Sequence, residues 1–513
     1  MQTYTTFVNT EKKSKKRIKL NNTPAQDGVF SDPPHTHVSD AVHATEHAIG
    51  STIRAVGKGV KVAEHDAVIV EKKAKKFWYM LGPGLTTGAS DDDPSGIATY
   101  SQTGAQYSFS LIWLALFTFP LMATVQEMCA RIGMVTGQGL AANIRQHYSK
   151  KAIYIATFLL LVANIFNIGA DFGAMAKALQ LLFPLAPFGL TVIFFGLGGL
   201  LMQVFMSYAR YAKYLKYLAL VLLSYVITAF YVQIDWSQLL SHTVIPHFDF
   251  TKNQILLVCG ILGTTISPYL FFWQTSQEIE EKKLIRGMAF EKKHRNDMKE
   301  MSAQDFSASR EAYETVLPAS TPKQIQRMRV DVWSGMFISN VAMFFIIAVC
   351  SATLFSNGIT TIETAADAAG ALRPFAGEFA YLLFTVGIIG VGLLAVPVLA
   401  GSAAYAVSES FGWKFGLNRK LKEARAFYGV IGLSVIVGIG FNFIGLHPMK
   451  ALIYSAVLNG LVAPVILYFI VRLSSRKDVM GKHKNKKGTT VVGWITVSFM
   501  SVTALATIYT LFS

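Results

Sequence analysis

Gly88-Ala89-Ser90-Asp91-Asp92-Asp93-Pro94-Ser95-Gly96 interrupts an apolar segment that runs from about Phe77 to Gln106. Three consecutive acids, followed at once by a helix-breaking Pro94-Ser95-Gly96, sit where the flanking residues read as membrane-buried. Each acid at a bilayer centre costs roughly 2.5–3.5 kcal/mol on insertion scales. Such a cluster persists only where a cavity, water or a cation compensates it. The stretch is therefore the first candidate for a functional site, and its charge points to a cation.

Apolar runs recur along most of the chain, about eleven counting this one as the first, each near the ~20 residues that cross a bilayer. The chain is 52% hydrophobic and 15% charged. Lipid-exposed backbone must satisfy its own hydrogen bonds, so the expected class is an all-α polytopic membrane protein. A soluble α/β enzyme buries one or two such runs, not this many. The sixth run is also broken, at Gly263-Thr264-Thr265-Ile266-Ser267-Pro268. Five spans separate the starts of the two broken runs, so they cross the membrane in opposite directions. Interrupted helices at matching positions of two inverted halves point to a transporter site at the midplane, where unwound carbonyls can ligate a cation. Pro120, Pro397 and Pro464 have no acid beside them and read as kinks. Glu127 and Arg131, four apart, read as a structural helix-face pair.

The net charge of +16 is sided. It gathers in Lys72 to Lys76, Arg145 to Lys151, Arg210 to Lys216, Lys282 to Arg329, Lys414 to Arg425 and Arg472 to Lys487. Alternate loops hold little more than Lys252, Arg373 and Lys450. This positive-inside pattern sets the N-terminus in the cytoplasm and the C-terminus outside, and it turns aside a nucleic-acid reading of the charge. Residues 1–70 read as a polar cytoplasmic extension, with an amphipathic surface helix expected around Val42 to Val70. Residues 77–278 carry spans one to six, 279–328 a cytoplasmic insert of one or two short helices, and 329–513 spans seven to eleven. The first residues are polar and basic without an apolar core, so no cleaved signal peptide is expected. Cys129, Cys259 and Cys350 fall within apolar spans and read as core thiols. His43-Ala44-Thr45-Glu46-His47 fits a zinc-protease pattern, H-x-x-E-H. It lies in the polar extension with no catalytic domain around it, so solvated histidines are expected, and the chain reads as a transporter rather than an enzyme.

Three motifs together resemble one known family. Gly82-Pro83-Gly84, then Asp93-Pro94, then Gln102-Thr103-Gly104-Ala105-Gln106-Tyr107 is similar to the first span of the Nramp divalent-metal transporters. Ala130-Arg131-Ile132-Gly133-Met134-Val135-Thr136-Gly137 resembles the end of their second span. The similarity covers about residues 77–513 apart from the insert. It implies a LeuT-type 5+5 inverted repeat with an eleventh helix appended, helices one and six broken, and a metal ion carried as substrate with no cofactor.

Departures from the family pattern bear on the ion. The resemblance places Asp93 where members have their ligating aspartate, but Gly96 stands where they have an asparagine. Ser267 replaces a thioether ligand and Tyr269 a histidine; Ser90 and Thr264 fall at positions whose carbonyls ligate. An all-oxygen set suits Mg²⁺, Ca²⁺ or Mn²⁺ rather than softer metals. Mg²⁺ keeps several waters and meets one or two carboxylates, and the smaller residues leave room for them. The pattern is similar to the Nramp-related magnesium transporter branch, so the expected cargo is Mg²⁺, with Mn²⁺ also carried. Asp93 is the first candidate ligand and Asp92 the second; Asp91 is expected to concentrate cations at a mouth of the pathway.

Proton-coupled relatives rely on third-span acids and the sixth-span histidine. Here one such acid aligns with Ile168 and the other with Asp171. Tyr269, with an ordinary pKa of about 10, does not titrate near neutrality. Weak or absent coupling is expected, with Asp171 able to take a proton or pair with Lys177. Two alternatives stay open: a proton-coupled Mn²⁺/Fe²⁺ transporter of the usual Nramp kind, and a Na⁺-coupled organic-solute carrier of the same fold. The latter needs a neutral first break to meet a substrate carboxylate, which three acids would repel. A scaffold that has lost transport is a further reading, set against the cost of keeping buried acids.

Overall fold

The computed structural model describes residues 82–206, 220–294, 302–315 and 317–513. The extension 1–70 with its His43–His47 motif, the expected surface helix and the basic segment Arg210 to Lys216 lie outside the described residues. Helices of eight or more residues are α1 Pro83–Asp91, α2 Pro94–Tyr107, α3 Trp113–Thr136, α4 Leu140–His147, α5 Lys150–Leu182, α6 Phe188–Phe205, α7 Leu223–Tyr231 and α8 Trp236–Val244. They continue as α9 Lys252–Thr265, α10 Pro268–Lys293, α11 Ala303–Thr315, α12 Pro322–Thr353, α13 Ala380–Phe411, α14 Arg425–Phe441, α15 Pro448–Ser475 and α16 Lys487–Phe512. Among the described residues there is no strand. Eight helices there are long and apolar enough to cross a membrane, α9 and α10 together counting as one. The acid-bearing pair α1–α2 and the shorter α14 fall outside that criterion.

Helix ends follow from local chemistry. Proline opens α1, α2, α10, α12 and α15, where its missing N–H costs nothing and its fixed φ suits a first turn. Thr321 and Gln324 form a reciprocal capping box at α12. Gly137 and Gly412 end α3 and α13 in the left-handed conformation. Large apolar side chains such as Phe158, Phe194 and Leu505 point outward, as a lipid-facing surface requires. The interior combines large aromatics such as Trp273, Phe271 and Phe427 with buried polar residues.

α12 lies along both α1 and α2, α13 packs on α5, and α15 packs on α9. Several motif residues serve this architecture rather than ligation. The Asp331 carboxylate on α12 accepts from the backbone N–H of Gly82 and Gly84, both at 2.7 Å, clasping the start of α1. A side chain at Gly84 would meet the Val332 backbone nitrogen at 2.6 Å. Gln102 donates to Thr360 O at 3.1 Å and accepts from Ile362 N at 2.8 Å, bracing the segment beyond α12. The Glu127–Arg131 pair is the structural contact expected, at 3.5 Å. It is part of a larger knot: Arg329 reaches Glu127 at 2.8 Å, Trp333 Nε1 donates to it at 2.9 Å, and Arg131 bonds Asn485.

Among the described residues the insert is largely helical. α10 continues without a break from the sixth span to Lys293, and α12 begins at Pro322 rather than 329. α11 folds back on α10 through Phe290 against Phe306 and Tyr313, Arg310 bonded to Glu291 at 2.5 Å, and Arg286 over the Tyr313 ring. The one or two short helices expected of the insert did not announce this continuity, because the interspersed charges mask it; Arg310 and Glu291 form an ion pair across the two helices.

Candidate metal site

Both breaks are shorter than the sequence suggests, and they match. α1 ends at Asp91 and α2 starts at Pro94, leaving Asp92 (φ −83°, ψ 57°) and Asp93 (φ −69°, ψ 171°) between them. α9 ends at Thr265 and α10 starts at Pro268, leaving Ile266 (φ −109°, ψ 58°) and Ser267 (φ −76°, ψ 128°). Gly88 to Ser90 and Gly263 to Thr265, expected to be unwound, are helical. Proline explains the spacing: it pushes the preceding residue into extended backbone and removes the donor for the carbonyl four residues earlier. Those carbonyls belong to Ser90 and Thr264, the two positions singled out in the sequence.

Each orphaned carbonyl is met by a hydroxyl. Tyr269 donates to Ser90 O at 2.9 Å. Ser267 Oγ donates to Thr264 O at 2.5 Å and to Gly263 O at 2.9 Å. Tyr269 thus bridges the two breaks, a link that no sequence pattern announced. A carbonyl has two lone pairs, so one stays open to a cation at each position.

Asp93 caps α2. Its Oδ1 accepts from Ser95 Oγ and Gly96 N, both at 2.7 Å, and from Thr264 Oγ1 at 3.4 Å. Its Oδ2 accepts from Asn167 Nδ2 on α5 at 2.9 Å. The carboxylate is buried, 1% exposed, beside the interruption of the sixth span. Toward Asp93, Thr264 presents its hydroxyl rather than its carbonyl. At Gly96 an added Cβ would lie 3.0 Å from Thr264 Oγ1 and 3.4 Å from Asp93 Oδ1, so the glycine keeps this contact open.

The other acids point elsewhere. Asp91 and Asp92 both accept from Ser339 Oγ on α12, at 2.5 and 3.1 Å. Asp91 is fully buried, its Oδ2 bonded to Ser339. Asp171 on α5 is also fully buried, and neither of its oxygens has a hydrogen-bond partner among the described residues. It does not pair with Lys177, whose ammonium bonds Gln180 at 3.1 Å and lies over the Phe188 ring. Among the described residues no three His, Cys, Asp or Glu side chains gather as a metal cluster. A cation here would meet one carboxylate with neutral oxygens.

Sequence reasoning missed three neighbours: Asn167, Ser339 and Met343. The Met343 sulfur lies 3.9 Å from Thr265 Oγ1, which also contacts the Tyr100 hydroxyl at 3.2 Å. It stands on the Thr265 side of the break, not on the Thr264 side that faces Asp93. The sequence signal available for Asn167 was a polar residue inside an otherwise apolar span.

The chain is 24% identical to the divalent metal cation transporter MntH of Clostridium acetobutylicum over 86% of its own length and 94% of the relative's. It is 24% identical to the Mycobacterium tuberculosis protein of the same description over 88% and 96%. The fold resembles the Eremococcus coleocola manganese transporter, with a TM-score of 0.62 at 18% identity, covering 84% of this chain and 86% of that one. The expected all-α, LeuT-type inverted-repeat fold is therefore the fold of this multi-pass membrane protein. The family model for natural resistance-associated macrophage protein-like (Nramp) proteins matches residues 84–510, and the chain belongs to the Nramp family.

Proposed function

We propose that the protein moves divalent metal ions, Mg²⁺ and Mn²⁺, into the cytoplasm by alternating access. The observation that carries this reading is the buried carboxylate of Asp93, held between two matching helix breaks with hydroxyls and free carbonyl lone pairs around it. The names of the bacterial relatives, divalent metal cation transporters, support the cargo class. An oxygen donor set favours hard cations, and small residues at Gly96 and Ser267 suit an ion that keeps part of its water. Asp93 is the ligand in this reading, with Ser90 and Thr264 offering carbonyls and Ser267 a hydroxyl. Asp92 and Asp91 set the field from the Ser339 side rather than touching the ion.

The ion enters from outside, meets Asp93, and leaves toward the basic cytoplasmic face as α1 and α10 rock against the other spans. The protein sits in a plasma membrane, that of a bacterium by its relatives, with residues 1–70 and 279–328 cytoplasmic. An inside-negative potential supplies about 2.3 kcal/mol per charge per 100 mV, so transport needs no proton. Uptake competition in proteoliposomes among Mg²⁺, Mn²⁺, Fe²⁺ and Ca²⁺ tests the reading. Mg²⁺ and Mn²⁺ are expected to compete with each other for one pathway, and uptake of Fe²⁺ alone overturns the preference.

A second reading, proton-coupled Mn²⁺/Fe²⁺ transport, draws on Asp171, a buried acid free to exchange a proton without breaking a hydrogen bond to the described residues. Acidification of the liposome lumen in proportion to metal uptake would favour it; the primary reading expects little or none.

A further inference from the structure

Asn167 lies on α5, far in sequence from both breaks, and it is fully buried. Its amide nitrogen donates to Asp93 Oδ2 at 2.9 Å. An ionised carboxylate only accepts hydrogen bonds, so the amide orientation is fixed by chemistry. The oxygen of the same amide, Asn167 Oδ1, is buried and has no donor among the described residues. Such an acceptor is expensive to leave unmade inside a protein.

The two oxygens of Asp93 are also unequal. Oδ1 takes three donors, from Ser95, Gly96 and Thr264. Oδ2 takes one, from Asn167. The acceptor capacity still open on Asp93 is therefore on Oδ2, the oxygen bonded to the Asn167 amide, whose own oxygen is unpaired. One helical turn further along the same face stand both unpartnered oxygens of Asp171. The family pattern reads the ion between the first and sixth spans; the unpaired oxygens of Asn167 and Asp171 add acceptors from the third.

We propose that Asn167 belongs to the cation's ligand shell and helps set ion preference. Its amide oxygen accepts the ion, or a water carried on it, beside Asp93 Oδ2. It supplies from the third span the neutral oxygen that Gly96 cannot. This rests on the divalent-cation reading above. A hydrated Mg²⁺ needs more acceptors than a partly stripped Mn²⁺, so the residue matters more for Mg²⁺.

The test uses the full chain in proteoliposomes, with Mg²⁺ and Mn²⁺ uptake measured for wild type, Asn167→Ala and Asn167→Asp. Asn167→Ala is expected to raise the Mg²⁺ KM about 10–100-fold, the range for lost outer-shell metal contacts. The rise for Mn²⁺ is smaller, and the maximal rate changes little. Asn167→Asp keeps an oxygen, but without metal its carboxyl shares a proton with Asp93; uptake is therefore compared at raised pH, where its KM stays at or below wild type. An unchanged KM in Asn167→Ala overturns the proposal. So does an Asn167→Asp variant as impaired as Asn167→Ala, because the residue would then only hold Asp93 in place. Should Asn167→Ala not purify as a folded protein, Mn²⁺ titration calorimetry on Asn167→Asp decides: binding at wild-type strength supports the proposal, and weakened binding overturns it. Wild-type uptake of neither ion overturns the functional reading as well, whereas wild-type uptake with indifferent Asn167 variants overturns this proposal alone.

Discussion

Asp93 is at once a helix cap and the candidate ligand, and these roles divide between its two oxygens. Oδ1 is consumed in closing the first turn of α2 and contacting Thr264. Gly96 permits that arrangement. Gly96→Asn would press a side chain against Thr264 Oγ1 and Asp93 Oδ1, leaving less room for a hydrated ion. Mg²⁺ uptake is expected to fall relative to Mn²⁺ by about tenfold, or roughly 1.4 kcal/mol, in paired uptake assays. Tyr269→Phe would leave Ser90 O buried without its hydroxyl donor. A loss of about 1–3 kcal/mol of stability is expected, read as a lower thermal midpoint in detergent. The acids at 91–93 and the hydroxyl at 267 could be picked out of the sequence because charge and polarity stand out in an apolar run. The partners of those acids could not: Asn167 and Ser339 meet them only through tertiary contact, and nothing in linear spacing says which way each carboxylate turns.

At the scale of helices, the two breaks are both products of one rule, a proline that opens the second half-helix and orphans the carbonyl four residues back. Pro94 and Pro268 made the positions of the breaks legible. Their lengths were not, because Gly88 and Gly263 read as unwound while tertiary packing keeps them helical against Gly335 and Gly460. α1 is the shorter half of its pair and is fastened at its start by Asp331 on α12. Asp331→Ala removes two charge-assisted hydrogen bonds to backbone and is expected to weaken the seating of α1 by roughly 1.5–3 kcal/mol. Labelling of a Thr87→Cys reporter by a water-soluble thiol reagent should then speed up several-fold. The three native cysteines are buried and would contribute little background. Labelling unchanged by the Asp331 substitution would mean that α1 is held by packing alone.

Across the whole molecule, alternating charge between loops, recurrent apolar runs and paired breaks made the multi-pass inverted-repeat architecture legible. The insert was the exception, since α10 carries the sixth span's helix onward to Lys293 and α11 docks on it. In the function proposed above, the buried carboxylate of Asp93 meets the cation while the membrane potential supplies the drive. That claim is tested most directly by Mg²⁺ and Mn²⁺ uptake into proteoliposomes holding wild type or Asp93→Ala, with an inside-negative potential imposed. Wild-type uptake should rise with the potential and the Asp93→Ala signal should fall to that of empty liposomes; uptake by Asp93→Ala equal to wild type would contradict it.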